Sequence, residues 1–269
     1  MRNLRWTPRI CSSICRSIFW LICLCSQPVF AAGQQSVRLF LQETLDSQGK
    51  QVPSDPKLLE VLRYFENETG LKFEAVILPW KRAQVETLNG KGIIYGFSRS
   101  KERLALYHFS QAVVVEKIWG ITYGSPKPKY KTVEDLRGKV VSTGRGFSHG
   151  LEFDLARDHI FTVQEDSAST IARFKKLMAK RSDLMVWPVR GYEHHKEVEA
   201  YINRTVVQES NDPELQGRHF DVTEQPLFFD TTHFASAKGL YLDVIAKIDK
   251  AILRGKKNGR LTAVLRGYH

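Results

Sequence analysis

The feature that most constrains this chain is an alternation of short apolar runs with helical stretches between residues 37 and 97. Val37-Arg-Leu-Phe-Leu41 reads as a first strand, and Gln42 to Pro53 as a polar loop. Asp55 is placed to cap a helix beginning at Pro56: Asp accepts from the orphan N–H groups of a first turn, and Pro has no N–H to lose there. Leu58, Leu59, Leu62 and Phe65 share one face at helical spacing, and Gly70 closes the helix. Leu71 to Ile77 alternates as a second strand. Leu78-Pro-Trp-Lys-Arg-Ala83 opens a helix that stops at Asn89-Gly90, and Ile93 to Phe97 is a buried strand. Strands separated by helical crossovers predict a mostly parallel sheet.

Open α/β sheets bind ligands beyond the carboxyl ends of their strands. The turn after Phe97 carries Ser98 and, five residues on, Arg103. A guanidinium fork and a hydroxyl together can grip a carboxylate. The plainer reading is that Ser98 caps a helix and Arg103 is a surface charge on its first turn.

Phe109 to Tyr123 is a further extended stretch leading to Gly124-Ser-Pro-Lys-Pro128, a turn-rich joint. Beyond it the pattern repeats. Thr132 caps a short helix through Arg137, Lys139 to Thr143 is a strand, and Gly144-Arg-Gly-Phe-Ser148 is its loop. A helix over 152–159, a strand over 160–163, a helix over 168–180 and a strand over 183–187 follow, and Pro188 is expected to start the next helix. Leu227 to Phe229 and Thr232 to Ser236 read as separate strands, before helices over 240–254 and 261–265.

Residues 1–31 have the make-up of an export signal. Arg2, Arg5, Arg9 and Arg16 are its positive region, Ile18 to Cys25 its apolar core, and Val29-Phe30-Ala31 a cleavage pattern. That core is too short for a membrane span, which needs about 20 residues. All four cysteines lie inside this segment, so the product after cleavage has no thiol chemistry. Losing four Arg and no acid lowers the net charge from +11 to +7. The remaining Lys and Arg are scattered, which argues against nucleic-acid binding.

The chain resembles the bacterial family 3 periplasmic solute-binding proteins, the polar-amino-acid type that serves ABC transporters. Phe97-Ser-Arg-Ser-Lys-Glu-Arg-Leu-Ala-Leu-Tyr-His-Phe-Ser110, Thr132-Val-Glu-Asp-Leu-Arg-Gly-Lys-Val-Val141, and Phe234-Ala-Ser-Ala-Lys238 with Lys257-Asn-Gly-Arg-Leu261 carry the likeness. It implies an α/β, two-lobe periplasmic-binding-protein type II fold (a Venus flytrap) with mixed sheets flanked by helices. The lobes are expected at 32–120 with 223–269, and at 121–222. It further implies a periplasmic, monomeric protein, neither enzyme nor metal or cofactor carrier, that holds a small solute for a membrane permease. By position, Ser98 and Arg103 resemble the carboxylate-binding residues of the first lobe, and Ser148 the hydroxyl of the second. Gly146 and Phe147 offer backbone N–H groups, and Trp80 is either a ligand wall or a packing residue.

One departure bears on the ligand. The family's acid that pairs with an α-ammonium is expected near Pro188, and no acid occurs there before Glu193. Asp230 is a weak substitute. The solute is therefore a carboxylate without that amine, or its amine is held elsewhere. The other readings are a free-standing sensory protein and a dehydratase-like enzyme using Glu116, Glu152 or Asp154, although nothing in the sequence pairs one of these with a base. His149 either contacts an anionic ligand or is a plain surface residue. His194-His195 suits a solvated face better than a metal, because adjacent helical residues diverge by about 100°.

Overall fold

The computed structural model describes residues 34–46, 48–124 and 130–268. The expected signal segment and most of the joint at 124–128 lie outside them.

The first half is built as its sequence predicts. Strand β1 (Gln35–Gln42) pairs in parallel with β2 (Leu71–Leu78) along its whole length and with β3 (Ile93–Phe97). Helices α1 (Pro56–Thr69) and α2 (Trp80–Leu88) are the crossovers. Asp55 accepts from the Lys57 N–H at 2.8 Å, and Gly70, at φ 70°, returns its N–H to the Glu66 carbonyl. Strands β4 (Tyr107–Phe109) and β5 (Val114–Thr122) follow the short helix α3 (Lys101–Leu106).

The second half holds β6 (Val140–Gly144), α4 (Leu151–Ala156), β7 (Thr162–Asp166), α5 (Thr170–Met178), β8 (Leu184–Val189), α6 (His195–Tyr201) and β9 (Asp221–Val222). The chain ends with β10 (Phe228–Ala237), α7 (Leu242–Lys257) and α8 (Arg260–Leu265). The strands form one mixed sheet in the order β2-β1-β3-β10-β5-β8-β6-β7, with β4 on β10 and β9 on β5.

Four expectations are corrected. The two strands expected near 227–236 are one, β10, which runs antiparallel to β3 and β4 at one end and to β5 at the other. It joins the two halves of the sheet. Pro188 does not start a helix but sits in β8 opposite Ile118. β8 pairs with β6 only as far as Met185, which leaves a place beyond it for a residue without an N–H. Helix α6 starts only at His195, where Glu197 accepts from the His194 N–H at 3.2 Å, and a π-helical turn follows over Ile202–Gln208. Strand β7 begins two residues later than expected.

The core follows the halves. Leu39, Phe65, Phe234 and Ile248 pack between β1, α1, β10 and α7. Trp119, Phe174 and Phe220 form one cluster of the second half, and Phe153, Phe161 and Phe228 another. Phe40, Trp80, Phe97, Tyr107 and Phe109 make a separate aromatic cluster beneath the turn that carries Ser98.

Candidate functional site

A cleft of about 340 Å³ opens at the carboxyl ends of the parallel strands. Leu41 and Gln42 close β1, Gly144 ends β6, Trp187 and Pro188 come from the end of β8, and Tyr95 and Gly96 from that of β3; all line it. This is where strand topology puts a ligand. Trp80 and Phe147, expected from sequence, line it too. Trp80 is also a packing residue, set edge-on to Phe97 and Phe147 at 5.8 and 6.3 Å between ring centroids.

The other residues singled out in the sequence gather beside this cleft. The residue that caps α3 is Ser100, whose hydroxyl accepts from the Arg103 N–H at 3.2 Å. Ser98 is thereby left for other partners. Its hydroxyl lies 3.2 Å from the Ser148 carbonyl and within hydrogen-bond reach of the Asp230 carboxyl. The Arg103 guanidinium lies over the Phe97 ring, 4.2 Å from its centroid, and donates to the carbonyls of Ser98 at 3.0 Å and Gly146 at 2.7 Å. Burial lowers its pKa to about 10, opposed by Asp154 and Asp230. It stays a cation at neutral pH.

Gly146 has φ +77°, and a Cβ there would sit 2.7 Å from the Lys81 Cγ. The missing side chain is what lets α2 approach the turn after β6. The Gly146 carbonyl also accepts from Gln84 at 3.0 Å, and its N–H serves the Glu165 carboxylate. The Phe147 N–H closes a turn on the Gly144 carbonyl at 3.0 Å. The Ser148 hydroxyl donates to Asp154 at 2.7 Å. Both expected backbone donors and the Ser148 hydroxyl are thus engaged with protein in this state, and Lys81 pairs with Glu165 at 3.0 Å beside them.

Asp230 does not reach the cleft. It lines a separate cavity of about 300 Å³ with Arg99, Leu104 and Phe229, and burial raises its pKa to about 7. His149 is not a surface residue: it is 3% exposed, its Nε2 lies 2.6 Å from the Thr143 hydroxyl, and burial lowers its pKa to about 3. Glu116 is an ion-pair partner of Arg190 and accepts from Thr232, and Asp154 serves Ser148. Glu199, His219 and Asp221 have ligand atoms within 4.8 Å of one another, but Glu199 already accepts from the Val222 N–H and contacts His219.

Sequence reading missed the cleft residues Tyr95, Arg173, Trp187, Arg190 and Tyr268. Arg173 sits between the apolar Ile171 and Phe174, and nothing in helical periodicity marks it as turned toward a cleft.

No family model and no curated protein matches this chain. Solved structures do. A mutant of ArgBP from T. maritima is 16% identical with a TM-score of 0.62, over 86% of this chain and 93% of that one. An amino-acid ABC transporter substrate-binding protein from Streptococcus pneumoniae, bound to L-arginine, is 16% identical with a TM-score of 0.61, over 86% and 92%. The GluR0 ligand-binding core from Nostoc punctiforme, in complex with L-glutamate, is 16% identical with a TM-score of 0.60, over 86% and 97%. The fold is therefore that of the type II periplasmic binding proteins, as the sequence implied.

Proposed function

We propose that the protein captures a small, carboxylate-bearing, amino-acid-like solute in the cleft and delivers it to the membrane permease of an ABC transporter. The observation that carries this reading is the convergence of β1, β3, β6 and β8 on one cleft walled by Trp80, Phe147 and Trp187. The fold shared with binding proteins for arginine and glutamate supports it. The protein is a monomer, exported to the periplasm by residues 1–31, with lobes at 32–120 plus 223–269 and at 121–222. We assign it binding rather than turnover: of the three carboxylates weighed for catalysis, Glu116 and Asp154 are committed to Arg190 and Ser148 and Glu152 is exposed.

Arg103, Ser98 and Ser148, with the Gly146–Phe147 backbone, form the clamp that closes beside the solute. For Arg103 to take a carboxylate, its fork exchanges the Gly146 carbonyl for the ligand. Trp80 is the wall against which the solute packs.

The test is a thermal-denaturation panel on purified protein that has been unfolded and refolded to remove co-purified ligand. Amino acids, keto acids, dicarboxylates and sugars are added in turn. A bound solute at about 100 times Kd stabilises the native state by about 2.7 kcal/mol, a clear rise in midpoint. No response to any carboxylate overturns the reading.

A further inference from the structure

We infer that Arg173 is an anion-binding arm of the cleft, and that the solute is a flat carboxylate carrying no ammonium group. The inference rests on the solute-capture reading and names the ligand class for it.

Arg173 projects from α5 and lines the cleft, 7% exposed. Its Nη2 donates to the carbonyls of Val186 at 2.9 Å and Ser142 at 3.3 Å, and its Nε lies 3.5 Å from the Ser142 hydroxyl. Among the described residues its Nη1 has no hydrogen-bond partner, and no carboxylate forms an ion pair with it. Asp166, the acid whose charge acts on it, is held by Lys176 and by Ser142. A buried guanidinium anchored on one edge and open on the other is unusual, because an uncompensated charge in a protein interior is costly. An incoming carboxylate supplies the missing partner through a charge-assisted hydrogen bond. Arg103 differs, since both its terminal nitrogens already hold protein carbonyls.

The walls decide the body of the ligand. The Trp187 ring lies beside Arg173, 5.5 Å from the guanidinium carbon to the ring centroid, and Trp80, Phe147, Tyr95 and Tyr268 face the same 340 Å³. Flat aromatic surface beside a guanidinium suits a ligand with a flat apolar body whose carboxylate reaches Arg173. The lining offers no free carboxylate to pair with an ammonium group. Its one acid, Asp55, is solvent-exposed and occupied in capping α1. Pro188 contributes no donor or acid, and Arg190 adds a second positive charge, already paired with Glu116.

The experiment is isothermal titration of the refolded protein with phenylpyruvate and with L-phenylalanine, which differ at the carbon that bears a carbonyl or an ammonium. Phenylpyruvate should bind about tenfold or more tightly than L-phenylalanine, because the amino acid brings an ammonium that no free carboxylate of the lining pairs. Arg173→Gln should weaken phenylpyruvate about tenfold or more, with Arg173→Lys in between, since it keeps the charge but loses the fork. The comparison of the two ligands on the unaltered protein stands even if the variants fold poorly. Tighter binding of L-phenylalanine overturns the inference, and so does an Arg173→Gln protein that is folded and binds as before. In either of those cases the solute-capture reading survives. Silence toward every carboxylate in the wider panel overturns both.

Discussion

Arg103 and Gly146 lie 43 residues apart and meet directly, the guanidinium donating to the glycine carbonyl at 2.7 Å while its other terminal nitrogen holds Ser98 at 3.0 Å. One side chain thus ties the turn after β3 to the turn after β6, through backbone carbonyls that no substitution at Gly146 or Ser98 would remove.

Replacing Arg103 by Ala removes both hydrogen bonds and the contact with Phe97. Hydrogen bonds from a charged donor contribute about 1.5–3 kcal/mol each, so a net loss of about 2–4 kcal/mol is expected after water re-solvates the carbonyls. Urea unfolding followed by circular dichroism measures it. Unchanged stability would mean that the contact does not hold in solution.

Asp230 gives the protein a pH signature. Its carboxyl ionises near 3.8 in an ordinary setting and at about 7 in the folded chain, because burial disfavours the charged form. The folded state therefore keeps a proton that the unfolded chain gives up. The resulting penalty is absent below about pH 4, grows as pH rises to about 7, and is constant above that. Asp230→Asn cannot ionise. Its urea midpoint, relative to the parent, should climb from pH 4 to pH 8. His149, at about 3, and His233, at about 4, act in the opposite sense, costing stability as pH falls below 6.5. Both histidines remain in the variant and cancel in the comparison. A difference that stays flat with pH would refute the assignment.

Glu116 on β5 reaches Arg190 just beyond β8 and Thr232 on β10, where the two halves of the sheet join. Glu116→Gln deprives a buried guanidinium of its ion-pair partner, and a loss of about 3–5 kcal/mol is expected. Adding Arg190→Met to Glu116→Gln should restore part of it, as the buried charge that Glu116 balanced is then gone. A double variant no more stable than the single one would point to packing on Tyr268, 4.4 Å below the guanidinium, as the larger role of Arg190.

The sequence by itself determined the local order of this protein. Asp55, Pro56 and Gly70 bound α1, the alternation over 71–77 makes β2, and the apolar run over 93–97 makes β3, because capping, φ preference and periodicity act within a few residues. The turn after β3 and the loop after β6 were legible for the same reason. Tertiary structure alone decided what depends on neighbours distant in the chain. Pro188 could lie in a strand because β6 stops pairing at Met185, and residues 228–237 became one strand because β3, β4 and β5 all offered it partners. Ser98, Arg103 and Ser148 lie together beside the cleft, and which atoms they hold was set by the approach of α2 to Gly146. Arg173 carried no local mark. Its place in the cleft arises from the packing of α5 against β8, which binds Phe174 and Trp187 into one cluster and leaves the neighbouring guanidinium facing the open side.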